Sequence, residues 1–411
     1  MLRRPFWKIL RRPIGLCLLL CCWVITASGQ FFTLNNGTKR VRIPFQLIRN
    51  LVIVQLKIND AGPFNFVLDT GVGFMIITEP SLVDSISIPY KRTVKVPGLG
   101  SGETYEAFVT PALKIDMPGL TSHNVSAAIF KKDHFGLSRY AGIPIHGLLG
   151  YEFFNQLAVK VNFADSLITV CDPKDIRKFK NGIRLPITLE GNKPYIQTNI
   201  MCDNGTLQAS KLIVDLGAGH PVSLENVMDK STYSSQFITA NLGIGLNGLI
   251  SGYMGRVKSI DVGKYKVKNV IASFPDDNTR LLAVKRDGNL GVDILKKFTI
   301  IFDYTNNSLY LKPSMNFNTP SEHDMSGLEY YAAGDKYKNI IIERVEPGSA
   351  GEEAGLCPND EITSINFKPV SEMNLEQIDQ IFKSKDGRNI LLDVYRNKAY
   401  EKVIITLKRR I

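Results

Sequence analysis

Two short stretches of the 411-residue chain set a single aspartate between apolar residues and a glycine: Val67-Leu68-Asp69-Thr70-Gly71 and Ile213-Val214-Asp215-Leu216-Gly217. An isolated Asp-Gly after an apolar run is ordinarily a turn. Two of them at matching points of a repeated chain are a different matter, because a symmetry axis can bring the carboxylates face to face. Two carboxylates sharing one site cannot both ionise, so the pair holds one proton between them. One member then serves as a base that activates water, and the other as an acid that polarises a carbonyl. Neither a metal nor a nucleophilic side chain is needed.

The chain around these motifs is written twice. Asp116-Met117-Pro118-Gly119 corresponds to Asp261-Val262-Gly263, and Gly147-Leu148-Leu149-Gly150 to Gly288-Asn289-Leu290-Gly291. The offsets are 146 residues (Asp69 to Asp215), 145 (Asp116 to Asp261) and 141 (Gly147 to Gly288), so the landmarks keep order and spacing. Short β-branched runs such as Leu51 to Ile58, separated by Gly, Pro, Asn and Asp clusters, read as strands. Only short helices, after Gly150 and after Gly291, are expected in these halves. The expected architecture is mainly β: two similar barrel-like lobes, 40–178 and 179–315, related by a pseudo-twofold axis. A linker over 316–325 follows, and then a unit of different character over 326–411.

The paired motifs resemble those of the aspartic proteases of the pepsin and retropepsin kind: apolar residues, then Asp-Thr/Ser-Gly, and much later an apolar-apolar-Gly sequence. The first lobe supplies Asp69, Thr70, Gly71 and Leu148-Leu149-Gly150; the second supplies Asp215, Gly217, Ala218 and Leu290-Gly291. The lobes are nearer retropepsin than pepsin in size. The resemblance implies catalytic roles for Asp69 and Asp215, supported by Thr70, Gly71, Leu216, Gly217, Gly150 and Gly291. It also implies flaps at the glycine-rich hairpins, with Gly98, Gly100 and Gly102 in one and Gly243 and Gly245 in the other. Glycine there permits tight turns and close backbone approach. Two positions depart from the family pattern. Val72 replaces a small residue, and Leu216 replaces the second Thr or Ser, whose hydroxyl in the family helps lock the carboxylates coplanar. A missing donor and an added apolar group near the pair both disfavour its charged form. An activity optimum in the mildly acidic to neutral range is therefore expected, shifted downward by Leu216→Thr.

Residues 326–411 resemble a PDZ domain of the bacterial secreted-protease type. The resemblance rests on Val345, the run Pro347-Gly348-Ser349-Ala350, Ala354-Gly355-Leu356, Asp360, Ile362 and Ile365-Asn366. PDZ domains add a peptide as a strand to a sheet edge. By resemblance, Gly327, Leu328, Glu329 and Tyr330 form a carboxylate-capturing loop before the first strand, and peptide C-termini or extended strands are the partners. The whole chain looks like a bacterial secreted retropepsin-like protease joined to a PDZ domain.

The remaining features bound these expectations. Apolar residues make up 44% and charged ones 22%, as in an ordinary globular protein. Residues 1–29 hold Arg3, Arg4, Lys8, Arg11 and Arg12, an apolar core and a small-residue site at Ala27-Ser28-Gly29, and read as a signal peptide. Export to a periplasm, cell envelope or medium is expected, with an uncleaved anchor as the other reading. Without that segment the net charge of +11 falls to +6, and the remaining excess is spread along the chain with no Lys/Arg run that could neutralise a stretch of phosphates, so no nucleic-acid partner is expected. His123, His134, His146, His220 and His323 lack metal-ligand spacing, and neither metal nor cofactor is expected. Cys171, Cys202 and Cys357 allow one bridge or none. The expected function is hydrolysis of polypeptides by an exported aspartic endopeptidase whose PDZ domain recruits substrate. The rival is a non-catalytic peptide-binding protein disabled through Leu216.

Overall fold

Alternation of apolar and polar residues shapes the strands: Arg40–Pro44 reads exposed, buried, exposed, buried, exposed, so that Val41 and Ile43 face inward and Arg40 and Arg42 outward. The computed structural model describes residues 31–411 apart from 36, 89, 98–103, 226, 228, 246–247 and 277–283. The leader and the flap glycines Gly98, Gly100 and Gly102 lie outside the described residues.

The structure is mainly β, with three large sheets before the PDZ sheet. In the nine-stranded sheet, Ala61–Leu68 pairs in parallel with Gly147–Leu149. That strand runs antiparallel to Met75–Ile77, which in turn lies parallel to Leu120–Phe130. The eight-stranded sheet repeats the pattern with the same directions, through Leu207–Val214, Gly288–Leu290, Val222–Leu224 and Tyr265–Pro275. A six-stranded sheet joins the halves, its central pair being Ala158–Asn162 with Phe298–Asp303. The apolar faces of all three merge in one core, in which Phe153, Phe154, Phe298 and Phe302 are fully buried.

Four-residue helices follow Gly150 (Tyr151–Phe154) and Gly291 (Val292–Leu295), as expected. Two further helices, Leu82–Ser85 and Leu137–Ala141, were not legible, being too short to show a 3.6-residue period. All three described cysteines are free thiols, Cys171 and Cys202 buried and Cys357 exposed. Residues 328–406 form a separate sheet in the order Leu328–Ala333, Asn339–Val345, Glu361–Ile365, Asn389–Arg396, Ala399–Thr406, packed by the helix Leu375–Phe382 around its own core. Asn374 and Gln377 close that helix with a reciprocal capping box.

Candidate active site

Each aspartate stands at the end of a strand, held by the apolar-apolar-Gly segment beside it. The Asp69 N–H donates to the Leu149 carbonyl and the Asp215 N–H to the Leu290 carbonyl, both at 2.9 Å. Glycine follows each of these leucines because nothing larger fits. A Cβ on Gly150 would lie 2.5 Å from the Val72 carbonyl oxygen, and one on Gly291 would lie 2.0 Å from that of His220. Residues far apart in sequence are thereby brought together. A Cβ on Gly71 would fall 2.7 Å from both Asp215 carboxylate oxygens, and one on Gly217 would fall 2.3 Å from Asp69 Oδ2. The Gly71 N–H donates to Asp69 Oδ1 at 2.7 Å, and the Gly217 N–H to Asp215 Oδ1 at 2.9 Å. Each loop also leans on a hairpin tip of the other half: Asn50 Nδ2 donates to the Gly219 carbonyl at 2.7 Å, and Asn192 Nδ2 to the Gly73 carbonyl at 3.2 Å.

The buried Thr70 hydroxyl crosses between the halves. It donates to the Val214 carbonyl at 2.6 Å and accepts from the Leu216 N–H at 2.9 Å. Leu216 is fully buried and offers no reciprocal hydroxyl, its side chain joining the apolar core instead. The hydroxyl part of the expectation attached to Leu216 does not match these bonds, whereas the raised carboxyl it expects is present at Asp69. The Thr70 hydroxyl spends its bonds on the opposing backbone and none on a carboxylate, so the missing partner hydroxyl weakens the clamp rather than the charge.

The charge state is set elsewhere. Burial, and next the negative charge of Asp215, hold the Asp69 carboxyl well above the usual carboxylate range, against the Gly71 N–H and the Lys193 ammonium. Burial lowers the pKa of His220 against the pull of the Asp215, Glu225 and Asp293 carboxylates. The fully buried Tyr304 phenol, pushed up by burial and by both aspartates, stacks on Tyr151 and Phe154.

Several site residues escaped the sequence reading. Asn289 Nδ2 donates to Asp215 Oδ2 at 2.7 Å, while its Oδ1 is buried without a partner. The signal was the repeat itself: Asn289 occupies the position of Leu148, a donor where the first half has a hydrocarbon. Lys193, at the position of Leu51, lies near enough to interact electrostatically with Asp215 and Asp69. Its pKa is lowered by burial and by the neighbouring Arg286. Arg286 makes a two-pronged pair with Glu225, at 2.9 and 2.8 Å. Glu152, in the helix after Gly150, is buried, and its pKa is pushed up to about 7 by that burial.

The PDZ residues are placed differently from expectation. Leu328, Glu329 and Tyr330 belong to the edge strand Leu328–Ala333 and not to a loop, because Leu328, Tyr330 and Ala332 alternate into the core. Gly327 alone precedes it, in a left-handed conformation (φ 71°), where a Cβ would strike Ser349. The space between this strand and the helix Leu375–Phe382 is entered by the first half. Arg49 donates to Asp379 through Nε and NH2 at 3.0 and 2.8 Å, and to the Tyr330 carbonyl through NH1 at 3.2 Å, its guanidinium 4.6 Å from the Tyr330 ring centre. A Cβ on Gly142 would lie 3.1 Å from Leu375 and 3.5 Å from Ala332. From the other half, Asn241 donates to Glu329 at 2.9 Å. That residue belongs to the hairpin strand that holds Gly243, which is left-handed at φ 113°, and Gly245.

Among the described residues no cluster of three or more His, Cys, Asp or Glu could hold a metal. Residues 54–153 match the family model described as aspartyl protease, and residues 341–396 match the PDZ domain model. No curated protein matches the chain at a significant level. An aspartyl protease domain, containing Asp69 and Gly150, and a PDZ domain are thus both present in this chain.

Proposed function

We propose that the chain is an aspartic endopeptidase in which Asp69 and Asp215 act as one site on an extended polypeptide. The observation that carries the reading is the mutual approach of the two loops, each glycine N–H fixing its own aspartate and each glycine facing the other's carboxylate. In the proposed reaction Asp69, held protonated by burial and its neighbour, donates a hydrogen bond to the scissile carbonyl. The ionised partner takes a proton from water as the water oxygen adds to the carbonyl carbon. The resulting gem-diol collapses as a proton passes to the departing amine. On this reading 40–178 and 179–315 are lobes about a pseudo-twofold axis, 316–325 connects them to a PDZ domain over 326–411, and the two glycine-rich hairpins are flaps. Residues 1–29 serve as the export address, supported by their five cations and apolar run.

The PDZ domain supports a polypeptide partner, with the edge strand Leu328–Ala333 as the natural place for an added strand. Arg49 now fills that groove, so a peptide docking there replaces it. The second reading, peptide binding without cleavage, draws on the half-formed clamp at Leu216. Incubating the purified chain with an unfolded protein between pH 3 and 8, with and without a statine-type transition-state mimic, separates the two. Mimic-sensitive cleavage supports the protease; mimic binding without cleavage supports the rival.

A further inference from the structure

Cations from distant parts of the sequence, the local run Arg177-Lys178-Phe179-Lys180 among them, are gathered in space. A cavity of about 630 Å³ opens on the outer face of the six-stranded sheet. Arg42, Thr169 and Lys160 stand side by side there on one rung of three adjacent strands, while Arg40 and Lys312 flank them. The segment after Ile176 closes the cavity with Arg177, Lys178 and Lys180, and Phe179 packs over Tyr310 and Ile301 beneath it. No Asp or Glu lines the cavity. Asp172, close in sequence, faces Lys174 at 3.8 Å instead. None of the seven lining cations forms an ion pair among the described residues. Lys160 and Lys178 are steered by aromatic rings, 5.7 Å from Phe179 and 5.0 Å from Tyr310, and Arg40 by the Asp175 carbonyl at 3.0 Å.

We propose that this cavity is a binding site for a multiply charged phosphate group, free or carried on a lipid headgroup. Seven cations converging with no carboxylate in the lining make a field that a compact polyanion satisfies best. Three of the seven are arginines, whose forks suit phosphate oxygens, and the lysines add point charges. The volume is that of a small-ligand pocket and well beyond a single ion. A nucleic acid fits less well, because the cations ring a concavity and the aromatic rings are engaged by lysine ammonium groups, leaving no stacking platform. The inference is independent of the proteolytic reading and needs no cleavage to be tested.

The test is calorimetric titration of the full chain with tripolyphosphate and with orthophosphate at matched ionic strength. Tripolyphosphate should bind at least tenfold more tightly. The combined variant Arg42→Gln, Lys160→Gln, Lys178→Gln should lose at least tenfold, and the single loop variant Lys178→Glu should weaken binding without touching the sheet. Neutralising Lys57, Lys258 and Lys268 elsewhere should change nothing. Co-sedimentation with vesicles carrying phosphatidylinositol 4-phosphate but not with vesicles of phosphatidylglycerol, whose phosphodiester has a single charge, competed by tripolyphosphate, would assign the phosphate to a lipid; binding of the soluble anion alone would assign it to a free ligand. Equal affinity for the two phosphates, or wild-type affinity in both cavity variants, would overturn the proposal. So would an oligonucleotide that outcompetes tripolyphosphate and still binds both variants.

Discussion

The walls beside the two aspartates share a backbone and differ in chemistry. In the first half one rung of the sheet carries Ile53, Val67, Leu148, Ile76 and Ala128, all buried in a single apolar cluster. The matching rung of the second half carries Tyr195, Ile213, Asn289, Ser223 and Ser273. Next to it, Lys193 and Arg286 stand where the first half has Leu51 and Ile145. The ladder directions and the glycine contacts survive because they depend on backbone geometry. The side chains facing away from that geometry are free to diverge, and the second wall thereby reaches Asp215 with a donor that Asp69 lacks. The hairpin tips diverge in the same way. Arg49–Asn50 is locked under the PDZ domain, whereas Gly191 and Asn192 are exposed.

The tips offer the largest test of this asymmetry. Arg49→Ala should cost about 3 kcal/mol or more, because it leaves Asp379 partly buried without its cation. Amide exchange across Leu328–Ala333 should accelerate, and an extended peptide should bind that strand more tightly. Unchanged exchange would mean the contact holds nothing.

The clamp comes next. Thr70→Val removes both bonds to the opposing backbone and should destabilise the fold by about 2–3 kcal/mol in urea titration. Leu216→Thr should complete the reciprocal clamp, worth about 1 kcal/mol, while trimming a fully buried leucine at a cost of about 2 kcal/mol. The fold should therefore gain no stability, even as any cleavage rate rises a few-fold and the pH profile stays in place. A shifted profile would restore the electrostatic role first expected of Leu216.

The helices after the glycines differ as well. Asp293 is half-buried, and Lys296 at 2.7 Å outweighs the desolvation there, so its carboxyl sits below the usual range. Glu152 has no such cation, and one of its oxygens is buried without a partner. Its folded pKa of about 7 exceeds the ordinary 4.5, so stability is full below pH 4.5 and is lost as pH rises through 7. Glu152→Gln should therefore change little at pH 4 and stabilise by about 2 kcal/mol at pH 8. Equal stabilisation at both values would point to packing instead. Asp69 obeys the same sign: the proton that burial and Asp215 hold on it favours the fold at low pH.

A further effect concerns Asn289. Replacing it by leucine, the residue of the first half, removes one donor to a carboxylate. The turnover should fall roughly tenfold, about 1.4 kcal/mol, with KM little changed. A KM effect alone would make Asn289 a substrate contact.

Much of this was legible because repetition carries information that one motif does not. The Asp69 and Asp215 turns, the glycines behind them and the PDZ signature of Pro347 to Asn366 all depend on local rules of backbone and packing. Less visible was anything made by distant segments meeting. Arg49 reaches Asp379 across 330 residues, and Arg40, Lys160 and Lys312 converge from strands that no charge count along the chain connects. Leu328–Ala333 alternates with a period of two, Leu328, Tyr330 and Ala332 facing inward, and forms a strand where the resemblance implied a loop. Asn289 was present in the repeat and unread, since a matching landmark drew more notice than the mismatch within it.

The central claim is that two aspartates in unlike surroundings act as one unit. Kinetics of Asp69→Asn, Asp215→Asn and the double variant on one unfolded substrate test it most directly. The account predicts that each single substitution abolishes cleavage as fully as the double one, with folding intact by circular dichroism. Substantial cleavage by either single variant, or losses that simply add, would contradict it.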